Sequence, residues 1–138
     1  MKSEVYSLYA DQTIELADAW MKKYGIRHLP VVDTGKRVIG VMSRSDLDKL
    51  RVFAQLKTNE ISKFANNTNC VCDFMKQDVI TVSPECSVEE AAQILWENKF
   101  GCLPVESNGK LIGIVTQSDF LKLIFSSCLN TTPIYHVA

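Results

Sequence analysis

Two stretches of this sequence set a hydroxyl and a carboxylate three residues apart, each where an apolar strand pattern gives way to a helical one. They are "GVMSRSDLDKL" at residues 40–50 and "GIVTQSDFLKL" at residues 113–123. The pairs are Ser43 with Asp46 and Thr116 with Asp119. The first turn of a helix presents free N–H groups and a partial positive charge, which favour anions. A hydroxyl there can donate to a phosphate, and a carboxylate accepts from two vicinal sugar hydroxyls. Each corner is therefore suited to a ribose phosphate. The same residues also serve as simple caps, with the hydroxyl accepting from first-turn amides and the carboxylate favouring the dipole. Recurrence at two equivalent places makes the ligand reading competitive with capping alone.

Other reactive side chains are less persuasive. The cysteines are Cys70, Cys72, Cys86, Cys102 and Cys128. An odd number without a regular framework suits a reducing compartment. "CVC" at 70–72 lacks the paired Cys-x-x-Cys spacing common in zinc sites, so small buried cysteines are expected and no metal. Cys102 and His28 are formally a nucleophile and a base, but nothing in the sequence orients the imidazole. There is no Walker phosphate loop and no dinucleotide glycine fingerprint. No catalytic residue and no required cofactor are expected.

The elements that position the corners come in two copies. "MKSEVYSLYADQTIELA" at 1–17 aligns with "MKQDVITVSPECSVEEA" at 75–91, and "IRHLPV" at 26–31 with "FGCLPV" at 100–105. After one extra residue in the first copy's turn, the register holds through the corners. Each copy reads strand, helix, strand, strand, helix. First strands are expected near 4–8 and 78–82, where "VITV" is β-branched. Ser87 and Glu90 form a capping-box pattern, and Thr13 takes the equivalent place. Ile14, Ala17 and Met21, and Val88, Ala91 and Leu95, repeat at helical spacing and should be buried. Hairpins are expected at "DTGK" and "SNGK", with glycine supplying the turn. Pro30 and Pro104 lack a donor and belong at a strand start or edge. The last helices should cover about 45–56 and 118–125. The domain reading is a first repeat at 1–56, a linker at 57–70, a second repeat at 71–126 and a tail at 127–138. Neither unit is large enough to bury its own sheet. The predicted fold is α/β (α+β), two β-α-β-β-α repeats packed sheet to sheet with pseudo-twofold symmetry.

Composition fits a soluble globular protein with no field for nucleic acid. The chain has 138 residues, 46% hydrophobic and 22% charged, with a formal net charge of −1. It has no basic field for nucleic acid, no apolar run long enough for a membrane span and no signal-peptide pattern, so a cytoplasmic location is expected. Trp20 and Trp96 fall on the helices, where core or dimer packing outranks ligand stacking. Ile134, Tyr135 and Val137 in the tail are candidates to dock on the body or on a partner.

Over essentially its whole length the sequence resembles tandem CBS domains, named from cystathionine β-synthase. The Leu-Pro-Val strands and the Gly-apolar-apolar-(Ser/Thr)-x-x-Asp corners carry the resemblance. It implies that clefts between the repeats bind an adenosyl ligand such as AMP, ADP, ATP or S-adenosylmethionine. Asp46 and Asp119 would then hold ribose, and Ser43 and Thr116 phosphate. Val79, Ile80, Thr81, Phe100 and Cys102, with Pro104, would line one adenine cleft. Val5, Tyr6, Ser7, Ile26 and His28 would line the other. Basic residues before Leu-Pro often face phosphates in such relatives, which makes Arg27 and His28 phosphate candidates; guanidinium matches phosphate in charge and geometry. The favoured cleft combines Asp119 with Arg27 and His28. Arg44 and Lys110 are candidates for extra positive charge. The resemblance also implies a homodimer and a regulated protein partner. The rival reading is a structural dimerisation module with empty clefts.

Overall fold

The computed structural model describes residues 5–56 and 69–130. Most of the expected 57–70 linker, most of the 127–138 tail and the docking candidates Ile134, Tyr135 and Val137 lie outside them. The first repeat comprises β1 (Leu8–Tyr9), α1 (Ile14–Tyr24), β2 (His28–Val32), β3 (Val38–Ser43) and α2 (Arg44–Leu56). A short 3-10 turn, Val71–Asp73, leads into the second repeat. This comprises α3 (Val88–Asn98), β4 (Cys102–Ser107), β5 (Lys110–Thr116) and α4 (Gln117–Asn130). The last helix runs five residues past its expected end.

The helices start and stop for local reasons. Thr13 is extended, and its hydroxyl accepts from the Leu16 amide at 3.2 Å. Gly25, at φ 63°, closes α1 in the left-handed region. Ser87 accepts from the Glu90 amide at 3.1 Å. The Glu90 carboxylate meets the Cys86 thiol at 3.6 Å, so the expected box is realised through its serine half. Ala17, Met21, Ala91 and Leu95 are buried as the spacing predicts. Ile14 is only half-buried, and Val88 is 51% exposed at the open first turn of α3.

In the first sheet β1 runs parallel to β2, which pairs antiparallel with β3. In the second, β4 and β5 are antiparallel, and a single parallel bridge from Val82 to Val105 stands where β1 stands in the first. Leu8 faces Val31 in the equivalent way. The first strands are thus far shorter than expected, and the prolines explain it. The Val82 amide donates to the Pro104 carbonyl at 3.0 Å, and the Glu106 amide to the Val82 carbonyl at 2.9 Å. The next rung back would need a donor from the Pro104 nitrogen, which has none. Pro30 occupies the same place in β2. Both prolines therefore sit inside strands, at the point where the neighbouring strand ends. On its other side Pro30 faces Val41, whose amide and carbonyl both turn away to Lys76 at 3.0 Å.

The hairpin turns differ in detail. Asn108 and Gly109 both take positive φ, as a tight two-residue turn requires. In the longer first turn the positive φ falls on Lys36, not Gly35. The Asp33 carboxylate holds that turn by accepting from the Gly35 and Arg37 amides, both at 2.9 Å.

Each repeat has its own core, around Leu8, Met21, Leu29, Met42 and Val71 in one and Ala91, Leu95 and Leu103 in the other. A third cluster joins them across the pseudo-axis: Val41 of β3, Cys102 of β4 and Ile114 of β5, flanked by Val5 and Val79. The Leu111 amide also donates to the Lys36 carbonyl at 2.8 Å, and the Val38 amide to the Glu106 carboxylate at 3.3 Å. This is the expected sheet-to-sheet arrangement.

Candidate functional site

The corners are held in the same way in both repeats. The Arg44 amide donates to the Arg27 carbonyl at 2.7 Å, and its counterpart Gln117 donates to the Gly101 carbonyl at 3.3 Å. Each helix start is thereby tied to the segment before Leu-Pro of its own repeat. At the first corner the Ser43 hydroxyl donates to Asp46 Oδ2 at 2.7 Å while the Asp46 amide donates to Ser43 Oγ at 3.1 Å. At the second the Thr116 amide and hydroxyl both donate to Asp119 Oδ2, at 2.9 and 3.3 Å. Hydroxyl capping is therefore real at the first corner, whereas at the second the Asp119 carboxylate reaches back to the Thr116 amide and hydroxyl. These contacts use one and the same oxygen of each carboxylate.

Two cavities open where the repeats meet. The larger, about 580 Å³, joins Thr116 and Asp119 of the second repeat to Val5, Tyr6, Ile26, Arg27 and His28 of the first. The smaller, about 240 Å³, joins Ser43 of the first repeat to Val79, Ile80, Phe100 and Cys102 of the second. Each thus takes its corner from one repeat and its apolar wall from the other. Ser7, Asp46, Thr81 and Pro104 do not line either cavity. Thr81 is exposed and Pro104 is buried in β4; Asp46 is turned back on Ser43.

His28 borders both cavities, as do Gly101 and Gln117. Its ring occupies the space that a side chain at Gly101 would need. A side chain at this position, such as the first repeat's Arg27, would have to displace that ring. Burial, then the nearby Arg27, lowers the His28 pKa below its ordinary value, with Asp46 opposing and Lys76 adding to the effect. Its neutral ring can both donate and accept. Cys102 is buried beside the smaller cavity, and burial pushes its thiol up to about 12. A thiol so protonated is apolar lining, not a nucleophile.

Several lining residues are absent from the sequence expectations. Tyr24 lines the larger cavity and stacks on Tyr6, with centroids 3.9 Å apart and planes 12° apart. Lys122 also borders this cavity, and Lys76, Asp78 and Lys99 border the smaller one. Tyr24 ends α1 immediately before "GIRHLP", a place the sequence could have flagged. The three lysines carry no such signal. Conversely, Arg44 is drawn away to Asp18 at 2.6 Å and Lys110 is an exposed strand residue, so neither lines a cavity. Cys70 and Cys72 are half-buried, against the expectation of full burial; Val71 between them takes the core position.

The family pattern described as CBS domain matches residues 1–52 and 71–126. The chain is 34% identical over 117 residues to an inosine-5'-monophosphate dehydrogenase of Korarchaeum cryptofilum, covering 84% of this chain and 21% of that enzyme. It therefore spans about a fifth of that relative's length. Among solved structures it resembles an acetoin utilization protein (AcuB), so described, from Vibrio cholerae. That likeness has 30% identity and a TM-score of 0.76, covering 93% of this chain and 89% of that one. It also resembles CBSX2, solved in complex with AMP, at 29% identity and a TM-score of 0.73, with 89% of each chain covered.

Proposed function

The chain belongs to the CBS domain family, and from that premise we propose that it is a regulatory module that binds an adenine nucleotide or related adenosyl ligand between its repeats. One observation carries the reading: a single cavity brings together Thr116 and Asp119 from one repeat and Arg27 from the other. Its 580 Å³ falls within the usual range for small-molecule sites of about 300–1,000 Å³, whereas the 240 Å³ of the smaller cavity falls below it. In the larger cavity Asp119 Oδ1 accepts from ribose hydroxyls, Thr116 and Arg27 hold phosphate with Lys122 nearby, and Val5, Ile26 and Tyr6 take the base. Ligation of AMP by CBSX2 supports the ligand class. The smaller cavity, with Ser43 and the Asp46 corner at its edge, is the weaker site.

The ligand touches both repeats, so it changes their relative orientation or rigidity to the extent that it binds one state better. The module has no catalysis of its own, acts in the cytoplasm as a homodimer and signals to a partner protein. The exposed apolar side chains Trp96, Leu121 and Phe125 on α3 and α4 support the homodimer. One observation favours the rival, a structural module with empty clefts: both corner carboxylates are already engaged by their own corners.

A thermal-shift panel of AMP, ADP, ATP and S-adenosylmethionine on ligand-free protein separates the two. A true ligand at 100 times its Kd adds about 2.7 kcal/mol to the unfolding free energy. No shift with any of them would favour the structural module. Asp119→Ala is expected to abolish the shift and Asp46→Ala to leave most of it; the reverse would move the principal site to the smaller cavity.

A further inference from the structure

We propose that Cys70, Cys72 and Asp73 form a binding site for a thiophilic divalent cation of the zinc class. The sulfurs of the two cysteines and a carboxylate oxygen of Asp73 all lie within 4.8 Å of one another. Tetrahedral zinc–thiolate bonds of 2.3 Å place sulfurs about 3.8 Å apart. Side-chain rotation of about 1 Å therefore suffices to close the set.

The local chain explains why these atoms converge. Val71 is fully buried in the first repeat's core, and the residues on either side of it are left half-buried at the surface. The 3-10 turn Val71–Asp73 then brings Asp73 to the same place. The backbone here is anchored at three points. The Ile14 amide donates to the Asn69 carbonyl at 2.9 Å, the Val71 amide to the Gln12 carbonyl at 2.8 Å, and the Cys72 amide to the Ala10 carbonyl at 3.2 Å. The frame is thus fixed before any cation arrives, and only side chains adjust.

The Cys70 thiol contacts the Asp11 carbonyl at 3.7 Å, the Cys72 thiol contacts Asp73 Oδ1 at 3.9 Å, and the two thiols contact each other. On binding, each thiol gives its proton to solvent and forms one metal–sulfur bond. Asp73 supplies one oxygen and water completes the tetrahedron. Two thiolates select zinc or cadmium over magnesium or calcium.

The site also has a position from which to act. The turn runs directly into Met75 and Lys76, and Lys76 pairs with Val41 and borders the smaller cavity. A bound cation would stiffen the segment around Lys76 that borders that cavity.

The test uses reduced, metal-free protein titrated with cobalt(II), then with zinc(II). One equivalent of cobalt should give a near-ultraviolet thiolate charge-transfer band that zinc abolishes. The band should vanish in Cys70→Ser and in Cys72→Ser and persist in Cys86→Ser. Asp73→Asn should weaken cobalt binding by about tenfold or more, the scale of losing even an outer-shell partner. Absence of the band, or its survival in the Cys70→Ser/Cys72→Ser double variant, would overturn the proposal. Mass-mapped alkylation of the unsubstituted chain gives an independent reading. Zinc should protect Cys70 and Cys72 but not Cys86, and equal rates with and without zinc would refute the site.

Discussion

The corner carboxylates show how one residue can tie its own corner and still leave an oxygen for a ligand. Asp119 uses Oδ2 to tie its own corner, so a ligand that engages Oδ1 finds the side chain already oriented. Such preorganisation lowers the entropy cost of binding. His28 is the residue whose charge state matters most. The unfolded chain takes up a proton on it at the ordinary value of 6.5, while the folded chain resists because of burial and Arg27. More protons bind to the unfolded state below that value, so stability falls as pH falls. The stability that neutral His28 contributes is complete above pH 6.5 and declines below it. Urea denaturation between pH 7 and 5.5 should therefore show a falling unfolding free energy in the parent. A His28→Gln variant should show a flatter profile, and equal slopes would refute the assignment.

At the level of elements, the helices were the most legible part of the sequence, because Thr13, Ser87 and the apolar spacing act within a few residues of where they are read. The register of the two copies was legible for the same reason, as a repeated local pattern. The first strands were not. Their length is set by a partner strand more than twenty residues away, in which Pro30 and Pro104 withhold one rung. "VITV" therefore has the composition of a strand without the donor that would make it one. Gly40 shows another non-local constraint. A Cβ there would collide with the Met75 side chain and approach the Lys76 carbonyl to 3.0 Å, so the connecting segment lies directly on β3. Gly40→Val should cost about 1–3 kcal/mol by overpacking, measured from urea midpoints. Gly35→Ala, which meets only Asp33 Oδ1 at 3.4 Å, should be close to neutral.

For the whole molecule, the sequence resemblance anticipated the exchange of walls between repeats, and Arg27, Thr116 and Asp119 do meet in one cavity. It did not anticipate Lys76, Lys99 or Lys122, because an exposed lysine looks the same in sequence whatever it faces. Only the packing of one repeat on the other decides that. Quaternary structure is open to a direct measurement. Trp96 is 83% exposed and Phe125 66%. Sedimentation should give a dimer for the parent and a monomer for Trp96→Glu/Phe125→Glu; a monomeric parent would remove dimerisation from the proposed function. Finally, the two cavities have the His28 ring as a common partition, seated on Gly101. A partition displaced from one side intrudes on the other. If both cavities take ligand, they would not titrate independently: the first occupant would set the affinity for the second, and the second would affect the first by the same factor. Calorimetric isotherms should depart from two independent sites in the parent and return to them in His28→Ala. The protein would then report how many of its two seats are taken, and a single concentration threshold would not describe its response.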